Sequence, residues 1–256
     1  MNIDSTALVS PKAQLGNNIS IGPYTIIEDD VVIGDDCIIG PHVTIYNGAR
    51  LGKKVKIFQG ASVSNRPQDL KFADEETLME IGDGSTIREF ATLHRGTIES
   101  GTSKVGKNCL LMAYTHIAHD CIVGDNVILA NLVQLGGHVE IDDWVIIGGA
   151  SVVHQFEKIG KHAMVGGGFR VTSDVPPYIL AAGEPLKFTG LNSVGLRRRG
   201  FSNDDIQRLK DIYNIIYGKK YNLSQAKDQI KLQFENDKYA AEVLQFLENS
   251  KRGITI

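Results

Sequence analysis

His116, His119 and Asp120 stand together in Thr115-His116-Ile117-Ala118-His119-Asp120, and further histidines follow at 138 and 154. A histidine beside a carboxylate can take a proton from a hydroxyl group. Its imidazole titrates near neutrality, and the carboxylate decides which ring nitrogen carries the hydrogen. The same residue types can also bind zinc. Which chemistry applies depends on what lies across from them, and that follows from the elements that carry them.

An aliphatic residue recurs at every sixth position from Ile3 to Val63 without a miss, and the phase returns at Ile81 and Val105 and runs on to Val171. Six is neither the period of a strand nor that of a helix. A chain burying one side chain per six residues must turn a corner each time, and three corners close a triangular coil. Residues i and i+18 then stack about 4.8 Å apart. The fourth residue after each aliphatic should also point inward and be small or branched, as Ala7, Cys37, Val43, Cys109, Cys121 and Val139 are. Glycine follows the aliphatic at many turns, including 16, 22, 106, 124 and 136, which suggests corners with unusual backbone angles. An α/β domain would need helices between its parallel strands, and residues 1–175 hold no sustained helical periodicity. A flat threonine-lined solenoid is excluded by outward positions that are irregular and charged.

The coil turns the chemistry into geometry. Eighteen residues beyond His119 is Gly137, and eighteen beyond Asp120 is His138, with His154 on the next coil. These outward positions form one polar patch, about 10 to 15 Å across at one strand spacing per coil. A base beneath a glycine whose N–H can serve a developing oxyanion fits acyl transfer better than metal binding, so no metal is expected.

The repeat is interrupted twice. The first break, about 64–80, carries the polar run Asn65-Arg66-Pro67-Gln68-Asp69-Leu70-Lys71 and reads as an ejected loop lining a binding face. The second, 99–104, reads as plain loop. The three cysteines, 37, 109 and 121, all fall on inward positions and read as core. The phase dissolves after Pro176-Pro177. Ser202 then reads as the cap of a helix to Gly218, Ser224 as the cap of a second to about Phe234, and Tyr239–Leu247 as a third. The domains expected are a β-helix over 1–188 and a helical domain over 189–256. Residues 176–256 hold 13 Lys/Arg against 9 Asp/Glu, leaving 14 against 21 for the rest. That modest basic bias could attract an acidic partner. An acidic chain with no basic-aromatic platform is not expected to bind nucleic acid. No basic leader or long apolar run is present, so membrane insertion is not expected and the cytoplasm is.

His116-Ile117-Ala118-His119-Asp120-Cys121, Leu135-Gly136-Gly137-His138, Val153-His154-Gln155-Phe156, Asp174-Val175-Pro176-Pro177-Tyr178 and Gly195-Leu196-Arg197-Arg198-Arg199-Gly200-Phe201 together resemble the UDP-N-acetylglucosamine O-acyltransferases, hexapeptide-repeat enzymes that begin lipid A synthesis. The resemblance covers the whole chain. It implies a left-handed parallel β-helix with a small α-helical C-terminal domain, assembled as a homotrimer with active sites between subunits. It also implies transfer of a (3R)-3-hydroxyacyl chain from acyl carrier protein, on its phosphopantetheine arm, to the glucosamine 3-hydroxyl of the UDP-sugar, without another cofactor. By the resemblance, His119 would be the base, Asp120 its orienting partner and Gly137 the oxyanion donor. His116, His138 and His154 would line the cleft, Gln68, Asp69 and Lys71 would hold sugar and phosphates, and Gln155, Asn192, Arg198 and Arg199 the UDP end. Gly167 matches a position that limits acyl length, and a glycine there favours a longer chain. Val194 replaces a carboxylate often present near the nucleotide-binding Asn, and Pro185 a histidine found at the far end of the groove in some members. N-acylation of a 3-amino sugar nucleotide would suit the same residues, and a zinc enzyme like the γ-type carbonic anhydrases is the alternative from another class.

Overall fold

The computed structural model describes all residues from Met1 to Ile256. Short parallel strands, most of two residues, stack into three sheets that form the faces of a triangular coil. Successive coils pair eighteen residues apart, as in His116↔Gln134 and Ile117↔Leu135. Across the first interruption Ile57 pairs with Ile87, and across the second Leu93 pairs with Ile117. The added segments are therefore whole multiples of six, and the inward phase survives them. Aliphatic and small side chains fill the axis in one continuous core that includes Ile45, Val63, Leu93, Ile117, Leu135 and Val153. The three cysteines lie in it as free thiols. Burial pushes the Cys109 thiol up to about 11 and Cys121 up to about 12, so both stay protonated.

The corners correct one expectation. The glycine after each aliphatic has ordinary backbone angles, and the left-handed residue stands two places later, at Asn108, Asn126, His138 and His162 among others. Glycine is needed because stacked corners touch. A Cβ on Gly106 would lie 2.5 Å from the carbonyl carbon of Gly124. The left-handed residues carry side chains, at a cost of about 1 kcal/mol or more each. Ring stacking offsets part of it, as in Phe90 on Tyr114 at 5.2 Å and His138 on Phe156 at 4.5 Å.

Both interruptions leave the coil on one edge. The first departs after the strand Ser62–Asn65 and rejoins at Leu78–Ile81; the second departs after Thr92–His94 and rejoins at Thr102–Val105. One coil further on, this edge is the turn from His116–Ile117 to Ile122–Val123, which holds His119 and Asp120.

At the far end, Ile179–Ala182 continues the first sheet and Lys187–Leu191 folds back antiparallel on it. Four helices follow: α1 Ser193–Arg198, α2 Asn203–Tyr217, α3 Leu223–Gln233 and α4 Lys238–Asn249. Ser202 caps α2 as its sequence suggests, whereas α3 is capped by Asn222, whose side chain accepts from the Gln225 N–H, and Ser224 lies inside the helix. The short α1 has no apolar periodicity to announce it. The last residues return to the coil, where Thr255 N–H donates to Asp174 O at 2.8 Å. No helix is long and apolar enough to cross a membrane.

Candidate active site

His119 and Asp120 occupy one corner and Gly137 and His138 the corner stacked on it, with His138 N–H donating to His119 O at 3.0 Å. The left-handed backbone of Asp120 and His138 sends both side chains along the edge. His119 Nδ1 lies 2.8 Å from Asp120 Oδ2. Because an ionised carboxylate only accepts, Nδ1 carries the hydrogen and Nε2 keeps its lone pair. The imidazole packs directly against Gly137, where a Cβ would fall 2.6 Å from His119 Cε1 and 2.8 Å from Nε2. Gly137 is a buried residue, and its N–H donates to nothing in the chain. Unspent buried donors are uncommon, and at a site they mark where negative charge develops.

Asp120 is buried, and each of its oxygens receives two donors. Thr97 N–H at 2.8 Å and the Ser100 hydroxyl donate to Oδ1; Thr97 Oγ1 at 2.7 Å and His119 donate to Oδ2. Burial alone would raise its pKa, but hydrogen bonds from Ser100, His119 and Thr97 prevail and hold the carboxyl below its ordinary range. Thr97 and Ser100 both belong to the segment between Thr92–His94 and Thr102–Val105; Ser100 lies in the stretch 99–104 that reads as plain loop in the sequence, and Thr97 just before it. No local motif announces their role, because it depends on the loop folding over a corner twenty residues away. The same loop brings Glu99 Oε2 to 3.4 Å from His138 Nε2, while Asp120 Oδ2 lies 3.6 Å from that nitrogen. His138 stacks edge-on to His119 and flat on Phe156.

A row of imidazoles lies behind His119. His116 Nδ1 is 2.7 Å from Thr92 Oγ1, and its ring meets the buried His94 edge-on. Burial, then His116 and His119, push His94 down to about 4, and burial lowers His116 too. His154 is exposed, and the one hydrogen bond of its ring is to Gln155 O. His119, Asp120 and His138 offer ligand atoms within 4.8 Å of one another, a donor set of the kind that holds cations. The Asp120 oxygens are already filled by four protein donors, so a metal there would have to displace them.

The other expected contacts lie in two places. Gln68, Asp69 and Lys71 ride on the loop that leaves the same edge as His119. Phe72 anchors that loop between the guanidinium groups of Arg66 and Arg95, and Gln68 and Lys71 stay exposed. Asn192 and Arg199 sit instead on a different edge, the one carrying Trp144, His162 and Tyr178. Arg199 lies over the Trp144 ring and 3.4 Å from His162 Nδ1. Burial, then the charges of Arg199 and Lys161, push His162 down to about 4. Asn192 caps α1, accepting from Gly195 N–H and donating to His162 O, which leaves one amide N–H uncommitted. Arg198 is exposed. Gly167 is exposed on the third edge, stacked on Gly149. The structure thus brings His119, Asp120, Gly137 and His138 together, and does not bring Asn192, Arg198, Arg199 or Gly167 to them within one chain.

The hexapeptide-transferase family model matches residues 12–47 and 102–137, and the model of the second domain of UDP-N-acetylglucosamine O-acyltransferases matches 174–255. An acyl-[acyl-carrier-protein]–UDP-N-acetylglucosamine O-acyltransferase of Thiobacillus denitrificans is 49% identical over 98% of both chains. This chain belongs to the UDP-N-acetylglucosamine O-acyltransferase family. Among solved members of that family, LpxA of Acinetobacter baumannii superposes with a TM-score of 0.95 at 44% identity over 99% of both chains. The Bacteroides fragilis enzyme superposes at 0.96 with 40% identity, also over 99% of both. The expected parallel β-helix with a helical tail is therefore the family's fold.

Proposed function

We propose that this site transfers a (3R)-3-hydroxyacyl chain from acyl carrier protein to the glucosamine 3-hydroxyl of UDP-N-acetylglucosamine, the opening step of lipid A synthesis. The observation that carries the reading is that Gly137, whose N–H is unspent, packs against an imidazole whose Nδ1 is committed to Asp120. His119 Nε2 takes the proton of the sugar hydroxyl as its oxygen attacks the thioester carbonyl. The carbonyl oxygen gains negative charge and receives the Gly137 N–H. Collapse of the tetrahedral intermediate forms the ester and expels the pantetheine sulfur, which recovers the proton from His119. No cofactor beyond the carrier's phosphopantetheine arm takes part, and the reading carries a cytoplasmic location.

The placement of the remaining residues supports assembly as a homotrimer. On the edge of His119, Gln68, Asp69 and Lys71 would hold the sugar and its phosphates, His116, His138 and His154 would line the cleft, and Gln155 would serve the UDP end. Asn192, Arg198 and Arg199 would reach the UDP end from the edge of a neighbouring subunit. Arginine suits a diphosphate because its planar fork donates paired hydrogen bonds. Gly167 would border the acyl groove and leave it open to longer chains. The test is to offer purified protein UDP-N-acetylglucosamine and its 3-amino analogue, each with carrier-protein donors of graded length. Ester at the 3-position is expected. Acylation of the amine alone would replace the reading by N-acylation, and absence of transfer to either sugar would end it.

A further inference from the structure

We propose that the loop 97–101 is a clamp on the catalytic pair, in which Thr97 and Ser100 are positioning residues that aim Asp120 at His119. The inference rests on the acyl-transfer reading for its kinetic consequence only; the clamp itself stands on geometry. At many corners of this coil the left-handed residue is exposed or half-buried, as Asn108, Trp144 and Asn126 are, whereas Asp120 is buried. The difference is the inserted segment. It turns at Gly101, whose φ is +73°, and closes on itself through Gly101 N–H to Thr97 O at 2.8 Å. That closure lays two hydroxyls and one N–H over the carboxylate.

A carboxylate offers about four in-plane acceptor positions, and here four donors occupy them. Thr97 spans both oxygens, its N–H on Oδ1 at 2.8 Å and its hydroxyl on Oδ2 at 2.7 Å, which fixes the plane of the group. Ser100 holds Oδ1 from the other side. With the plane fixed, Oδ2 faces His119 Nδ1, so the hydrogen stays on Nδ1 and Nε2 remains free to accept a proton. A competitor is close. His138 Nε2 lies 3.6 Å from the same Oδ2, and a carboxylate free to rotate can turn toward it. The clamp therefore selects one histidine of two. Loss of that selection leaves His119 in a mixture of tautomers, only one of which can act as the base.

The experiment compares the full-length protein with Thr97→Val, which keeps the N–H and the volume but loses the hydroxyl, with Ser100→Ala, and with both together. Nitrogen-15 spectra of the labelled histidines report the His119 tautomer directly and need no substrate. The parent is expected to hold the hydrogen on Nδ1, and the double variant to show the other tautomer in comparable amount. In the acyl-transfer assay kcat is expected to fall about 10- to 100-fold, with KM for the UDP-sugar within about twofold, because orientation is lost and binding is not. Removing hydrogen bonds that lower the Asp120 pKa should also move the acid limb of the rate profile to higher pH. Thr97→Ser, which restores the hydroxyl, should recover both tautomer and rate. The tautomer decides the matter. A double variant with the parent's His119 tautomer overturns the proposal even if its rate is lower, since the loop would then be merely structural. A parent that transfers nothing to the UDP-sugar would sink the functional reading, and the spectra would still judge the clamp.

Discussion

His119 is partly exposed and contributes nothing to the packed axis, which separates its chemical role from the fold. His119→Ala should lower kcat by about 10²- to 10⁴-fold while the thermal midpoint stays close to the parent's; near-normal turnover would remove it from the role of base. Gly137→Ala is the sharper test. Its new methyl group would fall 2.6 Å from His119 Cε1, so the imidazole must leave its place. Displacement of about 1 Å costs on the order of 10²-fold in rate, although the variant adds one carbon and keeps every polar group. Unchanged kcat with an unmoved ring would show that the stacking has no bearing on turnover. The sequence reveals this pair because eighteen residues separate its members in a regular coil. It hides Thr97 and Ser100, whose contact with Asp120 passes through an irregular loop that no period describes.

The coil is closed at its C-terminal end by an element that uses a charge where the repeat uses an aliphatic. Glu157 occupies an inward position and is inaccessible, with Arg252 Nε 3.0 Å from Oε1 yet off the hydrogen-bonding direction, so both oxygens lack a directed donor. Burial raises its carboxyl from the ordinary 4.5 to about 7, against the opposing charge of Arg252. The folded chain thus binds that proton more tightly than the unfolded one. This contribution to stability is fully present below about 4.5 and is lost as pH rises through about 7. Glu157→Gln should therefore flatten the fall of Tm from weakly acidic to weakly alkaline pH, by roughly 2–4 °C for each kcal/mol involved. Parallel melting curves for parent and variant across that range would show that the group titrates alike in both states. The corner on which Glu157 stands also carries Phe156, stacked on His138, so the tail closure and the site share one turn. The need for glycine at the corners is hidden in the sequence for a related reason. Periodicity locates a corner, but only the stacking of one corner on the next shows that close approach, and not backbone angle, excludes a side chain there.

In the whole molecule the site residues expected from the sequence are divided among the three edges of the prism. His119 lies on one, Asn192 and Arg199 on the second, and Gly167 on the third. If neighbouring subunits join these edges, two inactive variants should complement each other. An equal mixture of His119→Ala and Arg199→Ala subunits assorting at random is expected to recover up to about a quarter of parent activity, since one interface in each mixed trimer then receives both native edges. Mixtures no more active than either variant alone would place the whole site within one chain. The sequence by itself determined the coil, its register and the meeting of His119 with Gly137, because a strict period converts separation along the chain into stacking in space. It also placed both insertions at whole multiples of six. Only the tertiary structure decided that the two loops leave from the edge that carries His119, that one of them saturates the Asp120 carboxylate, and that Asn192 and Arg199 face another edge. Those facts depend on the direction a loop takes after leaving the repeat and on the return of the tail to the coil. Both are set by long-range packing, which periodicity does not encode.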